Sequence, residues 1–368
     1  MCGMSSTTGG LRIAQVCADT GIAPGSTKGA ALHLRGLAQG LTDLGHEVVT
    51  WSRRSPEGDH PVPVRPLHRL GELGCGETDV LYERYSLGCL TGLLEARRLG
   101  VPFVLEVNAP LVDEATEHRP GTVSPGDREV EDQLLAAADL VVTVSSRLEQ
   151  WVGRRRVGPT VTVINGHESR WFADRPPTAS PDFPLVFLGN PRPWHGAHRL
   201  VGLLVGLRNL GHRPDLLVVG GGKGADALTT TAHQRGVGAQ IRVTGAVRPE
   251  TVPALLARCG VGLAPYPTIE PFYFCPLKIV DYLAAGLPVV STRQGDIPRL
   301  VAEAGIVVPP DSDASLVRAV AAVLDNPALA REMGASGRAR ARSTLTWTHA
   351  ARRTVEAVLS ATLAGAVR

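Results

Sequence analysis

Of the 38 lysines and arginines in this 368-residue chain, three are lysines: Lys28, Lys223 and Lys278. Each stands within two residues of a Gly or Pro, near an expected helix start. A compact ammonium there can approach a phosphate as a point donor; the bland alternative is coincidence among three residues. The most informative stretch is PFYFCPLKIVDYLAAGLPVV, residues 271–290. Pro276 fits the first turn of a helix, where its missing N–H costs nothing. Gly286 stops that helix before a strand from Pro288. The free N–H groups of Leu277 and Lys278, with the helix dipole, make an anion site. Asp281 lies one turn after Leu277 on the same face. A diphosphate on the helix start and a ribose diol on that carboxylate would satisfy both; the alternative is an ordinary capped helix with a solvated aspartate.

The elements that must position these groups follow from the apolar pattern. Runs such as LRIAQVC (11–17), HEVVTW (46–51), DVLYE (79–83), PFVLEV (102–107), DLVVTV (139–144) and TVTVI (160–164) alternate with helical spacing. That alternation implies parallel strands joined by right-handed crossovers. The runs are apolar on both faces, as a sheet covered on both sides requires. ADRPPTASPD (173–182) then breaks the periodicity and reads as a linker. The alternation restarts with LVFLG (185–189), DLLVVGG (215–221), IRVTG (241–245), VGLAPY (261–266), PVVST (288–292) and GIVVPP (305–310). The fold expected is α/β, two Rossmann-like domains facing across a cleft. Their bounds are 1–172, a linker at 173–182, 183–346, and a C-terminal helix at 347–368 that crosses back to the first domain. In open α/β sheets ligands gather at the carboxyl ends of the strands.

Composition narrows the class. A formal net charge of +3 gives no broad basic field, so generic nucleic-acid binding is not indicated. The six cysteines are scattered without a CxxC pair, which argues against zinc or a disulfide framework and for a reducing compartment. The first residues have neither the basic nor the apolar region of a signal peptide, and no apolar run is long enough to span a bilayer. The location expected is cytoplasmic, with peripheral membrane association left open. Asp311-Ser312-Asp313 matches a D-x-D metal pattern, but after two prolines and before an apolar helix it reads as an N-cap. Gly220 to Gly224 is not a proper G-x-G-x-x-G, so a nicotinamide site is weak.

The 271–290 stretch resembles the signature of family 4 retaining glycosyltransferases, enzymes of the two-Rossmann GT-B fold. The variant it is similar to reads roughly YF-S-PLK-x-x-E-Y-x-AAG-x-PVV. FLGNPRPWHGAHRLV (187–201) resembles that family's G-x-x-K/R-P-W-H-G turn. GIAPGSTKGAALHL (21–34) resembles its G-G-x-x-x-H-x-x-x-L start, with Gly29 at the second glycine and Lys28 in place of the first. The resemblance covers nearly the whole chain in order.

It implies that the amides around Pro276 and Leu277, with Lys278, hold a donor diphosphate, and that Asp281 binds the ribose. Arg192, His195 or both would neutralise the leaving phosphate, whose growing charge needs fixed positive groups. The backbone around Val247 would meet the base. Tyr273 falls where the common form has its upstream acidic residue. Asn108 stands where many members carry His; it can position a hydroxyl but not accept a proton. Asp281 in place of Glu, Cys275 in place of Ser, and His167 and Glu168 in the N-G-V-D-x-x-x-F segment are further departures. His33 is read as a satisfied core histidine, and Glu83 and Glu106 as acidic candidates that equally serve backbone donors.

The function implied is sugar transfer with retention from a nucleotide sugar, a uridine donor being favoured, to a small-molecule or glycan acceptor entering past residues 25–33 and 106–114. No metal cofactor is required. Alternatives are an epimerase or hydrolase on the same architecture, and a non-catalytic partner protein.

Overall fold

The computed structural model describes residues 9–119, 121–173 and 183–366. Two compact units emerge. Unit 1 comprises Met1–Gly166, Tyr273–Cys275 and Trp347–Arg368; unit 2 comprises His167–Phe272 and Pro276–Thr346. All but the first residue of the expected linker lies outside the described residues.

Unit 1 is built on seven strands: β1 (Arg12–Cys17), β2 (Glu47–Ser52), β3 (Val64–Pro66), β4 (Val80–Arg84), β5 (Phe103–Val107), β6 (Leu140–Thr143) and β7 (Thr160–Thr162). They form one parallel sheet in the order β3-β2-β1-β4-β5-β6-β7. Val16, Leu81, Leu105 and Val141 point into a core that buries them almost completely. Each such side chain contributes roughly 1.5–3 kcal/mol by leaving water. The short β3 was not anticipated: VRP follows a proline-rich turn and carries none of the apolar length that marks its neighbours.

The C-terminal helix Trp347–Ala366 belongs to unit 1, and two glycines explain how it seats. On the helix Gly29–Asp43, a Cβ at Gly36 would lie 2.1 Å from the Trp347 ring, and one at Gly40 would lie 2.3 Å from the Trp347 carbonyl oxygen. Two glycines four residues apart share a helix face. They open the slot that a buried indole fills.

Unit 2 has six strands: β8 (Phe183–Leu188), β9 (Leu216–Val219), β10 (Ile241–Val243), β11 (Cys259–Ala264), β12 (Val289–Thr292) and β13 (Gly305–Val308). They make a parallel sheet in the order β10-β9-β8-β11-β12-β13. Its core gathers Leu185, Phe187, Val218, Leu263 and Val290 from the strands with Leu204 and Val320 from helices. Ser312 caps the helix Asp313–Leu324 by accepting from Ser315 N–H at 3.2 Å. Asp313 pairs with the buried Arg199 at 2.6 Å. The D-x-D pattern is therefore a cap and an ion pair, as its context indicated.

Candidate functional site

In unit 2 the carboxyl ends of β8, β9 and β11 meet the start of the helix Leu277–Ala285. The chain leaves β8 through Gly189 at φ 103° and leaves β9 through Gly220 at φ 147°. A Cβ on Gly220 would lie 2.6 Å from the Gly189 carbonyl oxygen, so only glycine permits this approach. Asn190 Oδ1 accepts from Gly221 N–H at 3.1 Å, tying the two turns together. The 193–195 turn ends at Gly196, φ 71°, against the Pro265 carbonyl.

On that turn His195 Nδ1 donates to the Asn190 carbonyl at 2.8 Å. Burial lowers its pKa to about 4, helped by the positive charges of Lys278 and Arg192. At neutral pH the ring is uncharged and its Nε2 is an acceptor. Arg192 is exposed, its guanidinium 5.9 Å from the Trp194 ring centroid.

The Leu277 helix begins one residue later than the sequence suggested, with Pro276 as its N-cap residue and no side chain capping it. Tyr282 fixes the helix to the sheet. Its hydroxyl accepts from Leu188 N–H at 2.7 Å and donates to the Leu263 carbonyl at 3.2 Å. Lys278, in the first turn, is 8% exposed, and its Nζ has no hydrogen-bond acceptor among the described residues. Aromatic faces surround it instead: Nζ lies 4.0 Å from the Phe187 ring centroid and 5.5 Å from that of Tyr266. Ring faces attract a cation but do not replace its lost water. Burial accordingly lowers the lysine to about 7.

Asp281, three residues on, is half-buried, and burial raises its carboxyl to about 7. The two do not pair, and Asp281 has no hydrogen-bond or ion-pair partner among the described residues. One helix start thus offers a buried ammonium without a partner and, three residues on, a half-buried carboxyl.

In unit 1 a second polar cluster centres on Glu106. Its carboxylate accepts from Tyr82 Oη at 2.5 Å, His33 Nε2 at 2.8 Å, Arg84 Nη1 at 3.2 Å and Asn108 Nδ2. Burial alone would raise this carboxyl; His33, Arg84 and Tyr82 outweigh it and hold it at about 2. An ionised carboxylate only accepts, so the Asn108 amide must present its NH2 to Glu106 and its oxygen elsewhere. His33 Nδ1 lies 2.8 Å from Asn165 Oδ1. Asn165 in turn donates its NH2 to the Cys275 carbonyl at 3.4 Å.

Glu83, the neighbouring strand residue, faces the other side of the sheet as strand alternation requires. It is fully buried against Gly92, and burial pushes it up to about 8. The two acidic candidates therefore differ in charge state: Glu106 is ionised and Glu83 is neutral.

The remaining sequence-predicted residues are distributed as follows. Lys28 precedes the Gly29 helix and donates to the Gly21 carbonyl at 2.9 Å. Lys223 opens the helix Lys223–Gln234. All three lysines thus stand at helix starts. Gly29 is exposed at the first position of its helix, and Val247 lies in the turn after β10. Tyr273 belongs to unit 1. Its hydroxyl donates to Glu114 at 2.6 Å, and its carbonyl accepts from Ser145 Oγ at 2.8 Å. Arg192, His195, Pro276, Leu277, Lys278 and Asp281 share unit 2; Gly29, Asn108 and Tyr273 share unit 1. His167 is buried and donates Nε2 to the Ala341 carbonyl at 3.2 Å, a structural role.

Sequence reasoning missed Tyr82 and Arg84 as partners of Glu106, and Asn165 as the partner of His33. The signal available was the alternation Tyr82–Glu83–Arg84, which puts the outer two on one face. Among the described residues no three His, Cys, Asp or Glu side chains are grouped to hold a metal ion, and no helix is long and apolar enough to cross a membrane.

The protein has two parallel α/β sheets, with glycine turns and an uncapped, lysine-bearing helix start at the carboxyl ends of the second, and similarity to known proteins makes its class specific. Residues 172–340 match the family model described as glycosyl transferases group 1. The chain is 27% identical over 326 residues to a glycogen synthase of Mycobacterium tuberculosis, covering 86% of this chain and 77% of that one. It is 27% identical over 347 residues to the MMP alpha-(1->4)-mannosyltransferase of Mycolicibacterium hassiacum, covering 85% and 77%. The structure of Anabaena HepE in complex with UDP-glucose superposes with a TM-score of 0.70 at 18% identity, over 95% of this chain and all of that one. The chain is a glycosyltransferase of the GT-B fold, related to the glycogen synthases and mannosyltransferases.

Proposed function

We propose that the protein transfers a sugar from a nucleoside diphosphate sugar, a uridine one, to a small-molecule or glycan acceptor, with retention at the anomeric carbon, as a family 4 enzyme. Residues 183–346 handle the donor and residues 1–172 the acceptor. The observation that carries this reading is Lys278: a buried ammonium without an acceptor, at an uncapped helix start. An anion would hold it charged, and a diphosphate brings that charge and the several oxygens that the amides of Leu277 and Lys278 can meet. Arg192 opens the 193–195 turn, and its charge is felt at His195. His195 is uncharged at neutral pH in the free protein; a bound diphosphate would favour protonation of its Nε2 from solvent, and the ring would then donate to a phosphate oxygen. Asp281, one turn along, suits a ribose diol, and the Val247 backbone suits the base. HepE holds UDP-glucose in its structures, which supports a uridine donor here.

When the sugar–phosphate bond breaks, negative charge grows on the leaving oxygen, and Lys278 with the helix start stabilises it most at that moment. Asn108, its NH2 held by Glu106, presents its amide oxygen to an acceptor hydroxyl and orients it without deprotonating it. Gly29 and the loop before it give that acceptor close approach to backbone, and Tyr273 shapes the same side.

The test is product analysis by mass spectrometry, using the purified chain, UDP- and GDP-sugars and lysate-derived acceptors. A glycosylated product from a UDP-sugar is expected, and Lys278→Ala should lower turnover by about 10²-fold or more. Turnover of Lys278→Ala at the wild-type rate defeats the assignment.

A further inference from the structure

Unit 1 holds a cavity of about 440 Å³ that none of the roles above employs. It opens at the carboxyl ends of β2 and β3, the edge at which open α/β sheets take ligands. Ser52, Arg53, Arg54, Arg65, His68 and Thr91 line it, with no carboxylate in its wall. The acids nearby are already engaged. Glu57 pairs with Arg54 at 2.8 Å. Glu72 takes Arg69 through both oxygens, and that bond, with smaller contributions from His68 and Arg65, lowers its pKa. Arg53 forms no ion pair among the described residues. Arg65 lies 5.4 Å from the ring centroid of the buried Trp51, which steadies its guanidinium beside the opening. Ser52 Oγ accepts from Arg54 N–H at 3.1 Å and sets the turn that brings Arg53 and Arg54 to the wall. Thr91 is the first residue of the nine-residue helix Thr91–Leu99, so a positive helix end adds to the guanidinium field.

We infer that this cavity binds a phosphomonoester carried by the acceptor. Three guanidiniums, one of them already compensated, match a dianion better than a monoanion, and planar forks suit phosphate oxygens. The sheet register supplies a length. Ser52 neighbours Cys17, Cys17 neighbours Arg84, and Arg84 neighbours Glu106. Three strand spacings, about 14 Å at the backbone, therefore separate the cavity's edge from the residue that orients Asn108. A phosphorylated disaccharide covers most of that interval, with its phosphate on the arginines and a hydroxyl at Asn108, and the reach of the arginine side chains toward it supplies the rest. The inference names the acceptor class and rests on the transferase reading above.

The experiment titrates inorganic phosphate, glucose 6-phosphate and glucose into the full chain by calorimetry, with UDP saturating so that the Lys278 site is filled. Inorganic phosphate and glucose 6-phosphate should bind and glucose should not. Arg53→Ala/Arg65→Ala should weaken both anions at least tenfold while UDP affinity stays within twofold. A phosphorylated acceptor panel should then show KM raised at least tenfold in the double variant, with donor hydrolysis unchanged. Anion binding that is absent, or equal in the double variant, overturns the inference, as do neutral acceptors used as well as phosphorylated ones. Absence of UDP binding and of any donor consumption would instead defeat the transferase reading, leaving the phosphate titration to stand by itself.

Discussion

His33 Nε2 lies 2.8 Å from Glu106 Oε2, joining residues 73 positions apart across two elements of the same unit. That contact makes the carboxylate the hub of a buried cluster that also engages Tyr82, Arg84 and Asn108. Hydrogen bonds to an ionised group are stronger than neutral ones, and removing one partner of a buried pair leaves the others stranded.

Glu106→Gln should therefore cost about 3 kcal/mol or more in urea unfolding. The folded carboxyl titrates near 2 rather than 4.5. Its stabilisation is present above pH 4.5 and is lost as pH falls toward 2. The variant should lose that acid-side slope; an unchanged midpoint and slope would show that the cluster contributes nothing.

Glu83 carries the opposite sign. Its folded pKa is raised to about 8 by burial, so the folded state holds a proton that the unfolded state releases near 4.5. Stability is full below 4.5 and declines as pH rises to about 8. Glu83→Gln, which keeps the neutral shape, should gain on the wild type progressively across that window. Thermal melts at pH 5 and pH 8 measure it, and equal differences at both would contradict a neutral buried Glu83.

Lys278 links pH to ligand. In the free protein its ammonium titrates near 7 because burial disfavours the charge, and a bound diphosphate would favour it. UDP affinity should be highest below pH 7 and fall about tenfold per pH unit above it, with one proton taken up on binding. Lys278→Met should abolish that dependence and melt at or above the wild-type temperature, since an uncompensated buried charge is removed. Calorimetry in two buffers of different ionisation enthalpy reads the proton. A pH-independent wild-type affinity would mean that the ammonium does not meet the ligand.

Much of the architecture was legible in the chain. Twelve of the strands coincide with apolar β-branched runs because a sheet covered on both faces demands such runs in each strand. β3 was invisible because VRP is too short and polar for that signal, and with it went the basic cavity whose wall it forms. The Leu277 helix was readable from Pro276 and Gly286, since proline and glycine act through local dihedral preferences that need no tertiary partner.

What the sequence determined by itself was therefore local: which segments are strands and helices, where helices begin, and that lysines stand at those beginnings. Only the folded structure decided charge and company. Lys278 and Asp281 are three residues apart yet unpaired, and Glu83 and Glu106 are both glutamates on adjacent strands yet one is neutral and the other ionised. Burial and hydrogen-bond partners set those states, and both depend on side chains brought from remote positions. Arg84, His33 and Asn165 reach the Glu106 cluster through sheet order and crossover, a relation that no local pattern encodes.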